Sequence, residues 1–329
     1  MRNRTLFIIG LVAALTLTAC GESTGGTVNT QTAEKATAPI TIGVLRTMDS
    51  LPVYVGDHNG LFQEYGADVE LVEFGSASDQ SKAMESGAID AMMTDMVVQT
   101  LIQKGGKEMK TVAVALGADV KEGKFLVVSN EKAGISSIGE MAGKSVAISE
   151  GTMMEYLVDS YCKELDVDLN TIEKVNIPSL SLRYETLMAG EVDMAILPDP
   201  MGDLAVMNGG KAVIDDTTLD RNLSCSVIAF SKEFIENNEA EVECFLDGYN
   251  AAIDRINEAH EEDLEFIYSV ANVPEVMQST WTVTKFTEKA VPSKEQVDNL
   301  MQWMVEKALI DEAYEYSEIV DDSFCKEAQ

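Results

Sequence analysis

The chain has 329 residues, of which 46% are hydrophobic and 24% charged, a composition typical of globular proteins with one large or two ordinary domains. It carries 56 acidic and 24 basic residues, which give a formal net charge of −32. A field of this sign repels nucleic acid and anionic lipid headgroups, so the composition argues against a nucleic-acid partner.

The first twenty residues have the pattern of an export signal that ends at a cysteine. Arg2 and Arg4 precede an apolar stretch, residues 6–17, which is too short to span a bilayer comfortably. The stretch leads into Leu-Thr-Ala-Cys20, which resembles a bacterial lipobox. We therefore predict a lipoprotein signal peptide over residues 1–19, lipidation at Cys20, and a position on the extracytoplasmic face of the cell membrane. The alternative is an ordinary secretory signal followed by a chance cysteine.

A Gly/Thr/Ser-rich stretch follows, and regular elements begin after it. Residues 20–38 lack hydrophobic periodicity, which predicts a flexible tether. Beyond it, short apolar runs alternate with amphipathic segments, a pattern that indicates parallel α/β sheets. The predicted strands are 40–45, 69–74, 89–93, 111–116, 125–128, 144–149, 173–176, 192–197, 212–214 and 224–230. The predicted helices between them are 52–64, 78–86, 95–104, 138–141, 152–164, 182–189 and 199–208.

One short pattern occurs twice, in residues 84–92 and again in residues 186–195. Each copy reads as the end of a helix, a glycine turn and a buried strand. Because each copy lies in its own series of strands and helices, the pair predicts two similar lobes. We interpret the aspartates of the two copies, Asp90 and Asp193, as structural residues that support the turn.

The last part of the chain is predicted to be mostly helical. Residues 242–256 and 293–305 place apolar side chains at helical spacing, and these helices have no sheet of their own. We expect them to cover the first sheet, so that lobe 1 is discontinuous and the chain crosses between lobes near residues 117–125 and 223–230. The expected domains are residues 39–119 with 231–329 (lobe 1) and residues 120–230 (lobe 2).

Motifs for catalysis or metal binding are missing from the sequence. The segment Gly105-Gly106-Lys107 lacks the first glycine and the Ser/Thr of a phosphate loop, and the two histidines, His58 and His260, are expected on the surface. Four further cysteines show no zinc-site spacing; they are interpreted as buried free thiols, although export also permits disulfides. These four are Cys162, Cys225, Cys244 and Cys325. We expect no catalytic residue, no metal and no cofactor.

The positions of candidate ligand-binding residues follow from the predicted strands. In α/β sheets, ligands bind beyond the carboxyl ends of the strands, and this rule selects five loops. Helix N-termini in such loops offer free N–H groups, although Ser78, Thr152 and Asp199 are equally good helix caps. Asp49 and Asp95 follow buried strands and must be solvated or paired. The candidate ligand-binding residues are Asp49, Ser50, Leu51, Tyr54, Ser76, Ala77, Ser78, Thr94, Asp95, Gly151, Thr152, Met153, Asp199 and Met201.

Several segments together resemble one family. Residues 51–62 (LPVYVGDHNGLF), residues 135–147, the two Gly-x-[Ile/Val]-Asp repeats and Leu197-Pro198-Asp199-Pro200 are similar to segments of the SsuA/THI5-like solute-binding proteins. The resemblance covers roughly residues 40–320. It implies a two-lobed type II periplasmic-binding-protein fold with a two-crossing hinge, and a receptor that delivers a small solute to an ABC importer permease. We expect the protein to be a monomer.

The charge of the selected loops bears on the ligand. They contain Asp49, Asp95, Glu150 and Asp199 but no lysine or arginine, and an acidic rim opposes an anionic ligand. A neutral or cationic, partly apolar heterocycle, such as a thiamine-pyrimidine precursor, is therefore favoured. A sulfonate or nitrate-type anion, held by backbone N–H groups, is the alternative. An alternative of another class is an enzyme on the same fold, a pyrimidine synthase of the THI5-like branch, which the missing cysteine cluster disfavours.

Overall fold

The computed structural model describes residues 38–325, which form two five-stranded sheets flanked by helices. The strands are β1 (Ile40–Val44), β2 (Val69–Glu73), β3 (Ala91–Asp95), β4 (Met109–Leu116), β5 (Phe125–Ser129), β6 (Ser145–Ile148), β7 (Glu173–Asn176), β8 (Met194–Pro198), β9 (Lys211–Asp215) and β10 (Ser226–Ser231). The first sheet has the order β2-β1-β3-β10-β4, and the second has the order β7-β6-β8-β5-β9. We call each sheet, with the elements packed on it, lobe 1 and lobe 2.

Both sheets are mostly parallel, as predicted. In the first sheet only β10 runs antiparallel to its neighbours, and in the second only β5 does so. Each of these two strands enters its sheet directly after the chain has crossed from the other lobe. The α/β, two-lobed fold with a two-crossing hinge is therefore confirmed.

Helices cover both sheets. They are α1 (Leu51–His58), α2 (Leu61–Glu64), α3 (Ala77–Glu85), α4 (Met96–Lys104), α5 (Met153–Glu164), α6 (Leu180–Ala189), α7 (Met201–Met207), α8 (Lys232–Asn237), α9 (Glu239–Asn257), α10 (Leu264–Val270), α11 (Glu275–Gln278), α12 (Lys294–Glu306) and α13 (Tyr316–Ile319). The single helix predicted over residues 52–64 is divided into α1 and α2, because Gly60 between them adopts a left-handed conformation with φ 70°. The long helix α9 packs on α1 and α2 of lobe 1, where its apolar face was expected to lie.

One predicted boundary needs correction. The strand expected over residues 224–230 is β10, and it pairs with β3 and β4 of the first sheet. The second crossing therefore lies between Asp215 and Ser226, earlier than the predicted end of lobe 2 at residue 230. The predicted signal peptide, the lipidation site Cys20 and almost all of the tether lie outside the described residues. Within residues 38–325, no helix combines the length and the apolar character needed to cross a bilayer.

The repeated pattern places equivalent residues at equivalent points of the two lobes. Gly87 and Gly190 both adopt the left-handed conformation, at φ 72° and 73°. Asp90 accepts a hydrogen bond from the backbone N–H of Thr41 at 2.9 Å, and Asp193 accepts one from the N–H of Ser145 at 3.0 Å. Both aspartates thus bind the amino end of a neighbouring strand, β1 or β6. This end of the sheet lies opposite the predicted ligand loops. They are structural, as predicted, but they join strands rather than supporting the turn.

The two lobes share one apolar core on one side. A continuous cluster of buried residues runs from α4 in lobe 1 through α5 in lobe 2 to α12, and it includes strands of both sheets. At its centre Trp303 of α12 packs edge-on against Tyr156 of α5, with ring centroids 5.3 Å apart. The lobes are therefore joined by side-chain packing as well as by the two crossings.

Candidate functional site

A cleft of about 400 Å³ lies between the two lobes, at the carboxyl ends of their strands. Its walls are formed by the loops after β1, β2 and β3 in lobe 1 and after β6, β7 and β8 in lobe 2. Small-molecule sites typically have volumes of about 300–1,000 Å³, so the cleft is large enough for a small ligand. The strand-end rule that selected the loops from the sequence therefore leads to this cleft.

The cleft brings together eight of the fourteen candidate residues. These are Asp49, Ser76, Ala77, Thr94, Asp95, Thr152, Met153 and Asp199. The other six do not line it: Ser50, Leu51, Tyr54, Ser78, Gly151 and Met201. The eight come from both lobes, as a ligand held between lobes requires.

The six candidates outside the cleft have other contacts. Ser50 and Leu51 are fully buried, Leu51 in the core of lobe 1. Tyr54 turns its hydroxyl to Glu73, to which it donates a hydrogen bond at 3.2 Å. Met201 packs against the core of lobe 2. Their positions next to loop residues in the chain predicted proximity, but Leu51 and Met201 pack into the cores and Tyr54 turns to Glu73.

Two further candidates sit beside helix starts. Ser78 lies in the first turn of α3, whose cap is Ser76: the Ser76 hydroxyl accepts from the Asp79 N–H at 3.2 Å. The Gly151 N–H donates to Glu155 Oε2 at 3.0 Å and is thus already satisfied. The N–H of Gly151 is therefore not available to a ligand in the way that free helix-terminal N–H groups are.

Asp95 bridges two helix N-termini from different lobes. It is the N-cap of α4, accepting from the Val98 N–H at 2.9 Å through Oδ1. Its other oxygen accepts from the N–H of Met153, the first residue of α5, at 3.1 Å. Burial raises the pKa of Asp95 to about 6, against the lowering effect of these N–H groups. Its two oxygens are used within the protein, so its role is to join the lobes at the base of the cleft.

Asp199 is held across the cleft by a tryptophan. Trp281, which packs in the core of lobe 1, donates its indole N–H to Asp199 Oδ2 at 2.9 Å. The other oxygen, Oδ1, is buried and has no hydrogen-bond partner among the described residues. Burial raises the pKa of Asp199 to about 6. The neighbouring Asp203 raises it further, although its own carboxylate is bound by Lys124 Nζ at 2.7 and 2.9 Å.

Asp49 shows the same feature in lobe 1. Its Oδ1 is buried and has no hydrogen-bond partner within residues 38–325. Burial raises the pKa of Asp49 above its ordinary value, although the hydroxyls of Thr47 and Ser226 partly oppose the shift. An acceptor left unsatisfied inside a protein is costly, and Asp49 and Asp199 both carry this cost, which appears as pKa values raised by burial.

Arg183 brings a positive charge to the cleft. In the sequence, this arginine lies on a predicted helix outside the selected loops. Its side chain is fully buried and hydrogen-bonds to backbone carbonyls, at 3.0 Å to Ile177 and 3.1 Å to Ile196. Burial lowers the pKa of its guanidinium to about 10, so it remains charged at neutral pH. The equivalent residue of lobe 1 is Gln80, which donates to the carbonyl of Met93 in β3 at 2.8 Å. Both side chains fasten a helix to the strand ends that form the cleft.

Sequence reasoning missed several parts of the wall: residues 224–226 at the second crossing, and two further segments. One is the first crossing, where residues 121–125 line the cleft, and the other is residues 280–284, which follow α11 without regular structure. Thr284 joins the two by donating to the backbone carbonyl of Glu122 at 2.9 Å. Trp281 lies in a stretch without hydrophobic periodicity. The sequence offered one signal for it: it is a tryptophan that belongs to no predicted helix or strand.

Redox and metal chemistry find little support among the described residues. The cysteines Cys162, Cys225, Cys244 and Cys325 are free thiols, the first two buried. Within residues 38–325 no group of three or more His, Cys, Asp or Glu side chains is arranged to hold a metal ion. His58 stacks on Phe266 with ring centroids 4.0 Å apart, away from the cleft.

Comparison with known proteins assigns the chain to a family. Residues 33–269 match the NMT1-like family. The chain belongs to this family. A family member of this kind was expected from the repeats and from residues 51–62, and that resemblance is confirmed.

Relatives and solved structures agree with the fold. A protein of Brachyspira hyodysenteriae that carries the name of an ABC transporter periplasmic binding protein is 24% identical over 265 residues, 75% of this chain and 74% of its own. The ligand-binding component of an ABC-type import system from Staphylococcus aureus, solved with zinc bound, has a TM-score of 0.70 at 17% identity and covers 89% of this chain and 99% of its own. The aliphatic sulphonate binding protein SsuA from Escherichia coli gives 0.70 at 17% identity, with 88% and 99% covered. An enzyme, the desulfurization enzyme DSZB, shares the fold too, with a TM-score of 0.66 at 11% identity over 87% of this chain and 97% of its own.

Proposed function

We propose that this NMT1-like protein is the extracytoplasmic substrate-binding component of an ABC importer. It captures a small molecule in the cleft between its lobes and presents the closed form to a membrane permease. The observation that carries the proposal is a ligand-sized cleft whose walls come from both lobes and from the hinge. Closure of such a cleft encloses the ligand without any chemical step.

A binding role is favoured over catalysis by the residues around the cleft. Neither histidine lines it, and the one cysteine that does, Cys225, is buried and has its pKa raised by burial to about 12. A thiol with a raised pKa is a poor nucleophile at neutral pH. The fold also occurs in an enzyme, so the fold alone does not decide this point; the side chains of the cleft support the binding role.

The ligand we propose is a neutral or cationic, partly apolar heterocycle, of the kind represented by a thiamine-pyrimidine precursor. The acidic residues Asp49, Asp95, Glu122, Asp199 and Asp203 line the cleft together with two lysines, Lys121 and Lys124, of which Lys124 is paired with Asp203. The rival is a sulfonate- or nitrate-type anion. The specific observation in its favour is Arg183, a buried guanidinium at the cleft whose partners are carbonyls and a thioether rather than carboxylates.

A thermal-shift screen tests the ligand proposal. The protein is heated with aminopyrimidines, flavins, amino acids, sulfonates and nitrate in turn. A compound present at 100 times its dissociation constant stabilises the folded state by about 2.7 kcal/mol, which is easily detected. We expect aminopyrimidines to raise the Tm. Shifts by sulfonates or nitrate alone would refute the ligand class but not the importer role, whereas no shift from any class would count against a solute receptor.

We also propose that the protein acts as a monomer, anchored to the cell membrane by a lipid on Cys20. A chain with a net charge of −32 is repelled by anionic membranes, and a covalent lipid overcomes this repulsion. In a bacterial host, the full chain should fractionate with membranes, and the Cys20→Ala variant should not, while it keeps its ligand affinity. Membrane retention of the variant would rule out the lipid anchor.

A further inference from the structure

The chain has two tryptophans, and each of them joins lobe 1 to lobe 2 through the same kind of bond. The indole N–H of Trp281 donates to Asp199 Oδ2 at 2.9 Å, and the indole N–H of Trp303 donates to Asp159 Oδ2 at 3.0 Å. Both tryptophans belong to lobe 1 and both aspartates to lobe 2. The two bonds have the same chemistry, but their surroundings differ.

The Trp303 bond lies inside the apolar core that both lobes share. Tyr156 of α5 packs edge-on against the indole ring, and beside it Lys307 Nζ lies 2.7 Å from Glu155 Oε1. If the indole N–H were lost, this core and the ion pair would still hold α12 against α5. We therefore expect this side of the molecule to stay closed and to act as the pivot of lobe motion.

The Trp281 bond lies on the side where the two lobes have separate cores. Trp281 belongs to a core whose buried residues all come from lobe 1. Among the described residues, Leu204 is the one apolar side chain of lobe 2 that packs on this core, and it is only partly buried. The facing core of lobe 2 is small and contains no residue of lobe 1. On this side, little apolar contact between the lobes supports the hydrogen bond.

Trp281 lies in a segment that runs past the hinge. Residues 281–287, which we call the strap, follow α11 and have no regular structure. One end of the strap is fixed to lobe 1, where Asn257 of α9 donates to the Phe286 carbonyl at 2.8 Å and accepts from the Phe286 N–H at 3.0 Å. In the middle, Thr284 donates to the carbonyl of Glu122 in the first crossing at 2.9 Å. The strap therefore reaches from lobe 1, past the hinge, to the wall of the cleft.

The charged neighbours of Asp199 do not join it to lobe 1. They are Asp203 of α7 and Lys124 of the first crossing, which are paired with each other. Trp281 and Asp199 both line the cleft, so water reaches the indole N–H and the carboxylate when the lobes separate. Because water then replaces each partner, the bond can break and form again at a moderate cost.

We propose that Trp281 and Asp199 form a releasable latch, which holds the lobes together in the arrangement described and breaks when lobe 2 swings away about the Trp303 side. The cleft then opens on one side only. This inference rests on the proposed solute-binding function for its purpose, and it adds which contact must break before a solute enters or leaves. A hydrogen bond to a charged group changes an equilibrium constant by about 10- to 100-fold, so the latch favours closure without locking it.

The latch is tested without any solute, by measuring the distance between two spin labels with double electron–electron resonance. The labels are attached at Asp247→Cys on α9 and Glu185→Cys on α6, two exposed positions of lobe 1 and lobe 2. The full chain also carries Cys20→Ala, Cys244→Ser and Cys325→Ser, and its two remaining thiols are buried. Short distances report closed molecules and long distances report open ones.

The decisive variant is Trp281→Phe, which removes the indole N–H and leaves an aromatic ring in the core of lobe 1. The measurement is made at pH 7.5, above the pKa of about 6 to which burial raises Asp199. We expect the ratio of open to closed molecules to rise about 10- to 100-fold. The matched control is Trp303→Phe, which makes the same change in the other Trp–Asp bond. It should lower the Tm, because Asp159 loses a donor inside the shared core, and leave the ratio unchanged.

Asp199→Ala tests the same bond from lobe 2 and serves also if Trp281→Phe does not fold. It should raise the ratio of open to closed molecules by the same factor, about 10- to 100-fold. A chain with both substitutions should open no further than the more open single variant, because one bond can be lost only once. Additive effects would mean that the two residues act separately, and they would overturn the latch.

Other outcomes are equally decisive. An unchanged ratio in Trp281→Phe overturns the inference, and so does an equal rise in Trp303→Phe, because the two sides would then not differ. A parent protein that shows mainly the long distance overturns it too. None of these results depends on a solute, so the importer role is decided separately by the thermal-shift screen. A solute that raises the Tm supports that role with or without the latch.

Discussion

The side of the molecule where the lobes are packed together holds a buried ionic cluster whose stability contribution can be measured. Glu155 and Asp159 of α5 are 8% and 3% exposed, and they face two lysines, Lys174 of lobe 2 and Lys307 at the end of α12. Lys307 Nζ lies 2.7 Å from Glu155 Oε1 and 3.4 Å from Asp159 Oδ2. The cluster is neutral only while both lysines are present.

Lys307→Met leaves two buried carboxylates with one cation. Breaking a fully buried ion pair from one side costs about 3–5 kcal/mol, and because Lys307 is 33% exposed, water compensates part of this loss. We expect the free energy of unfolding to fall by about 1–3 kcal/mol. The Trp303 indole, which donates to Asp159 at 3.0 Å, remains in place and limits the cost.

The matched control lies on the same pair of helices. Lys163 of α5 is 3.4 Å from Glu306 of α12, but its side chain is 68% exposed. Lys163→Met should change the free energy of unfolding by no more than about 0.5 kcal/mol. Both variants are compared with the parent by calorimetry and by urea unfolding, with and without added salt. Equal effects for the two lysines, or a Lys307→Met variant as stable as the parent, would refute the reasoning that burial decides the contribution.

Three further predictions concern single sites. Burial raises the pKa of Asp216 to about 7 from an ordinary 3.8, so the folded state keeps a proton that the unfolded state loses as the pH rises between these values. The free energy of unfolding should therefore fall from about pH 4 to pH 7 and then level off, and Asp216→Asn should flatten this slope in urea titrations; an unchanged slope would contradict the assignment. Asp90→Ala and Asp193→Ala should each destabilise the protein by about 1–2 kcal/mol in the same assay without altering ligand affinity, since both lie at the far edge of the sheets; a change in affinity would count against a purely structural role. Arg183→Met should destabilise by about 2–4 kcal/mol, because it leaves strand-end carbonyls unsatisfied at the cleft, and a circular-dichroism melt as stable as the parent's would contradict this.

Much of the fold could be predicted from the sequence because its periodicity is local. The apolar runs, the repeat glycines Gly87 and Gly190, and the helix caps are read within a few residues of each element. The predicted end of lobe 2 at residue 230 was wrong because the choice of sheet for a strand is not a local property. An apolar run such as β10 carries no sign of which sheet it joins, because that depends on partners more than a hundred residues away in the chain.

The candidate site was only partly predictable, for reasons of side-chain direction and reach. The strand-end rule locates backbone, and so it led to Asp95 and Asp199 but also to Leu51 and Met201, which turn into the core. It could not find Arg183, whose long side chain reaches from α6 to the strand ends. The sequence-based prediction of a neutral or cationic ligand was therefore made without Arg183, the cation that supports an anionic ligand.

The insertion of β10 into the first sheet has a consequence for the way the chain reaches its native state. Lobe 2 is built from one uninterrupted stretch, β5 to β9, and its sheet can form as soon as that stretch is available. The sheet of lobe 1 has no link between β3 and β4 until β10 arrives, after the whole of lobe 2. In a chain that emerges from its N-terminus, all strands of lobe 2 are therefore available before the sheet of lobe 1 can be completed, since β3 and β4 have no strand between them until β10 follows.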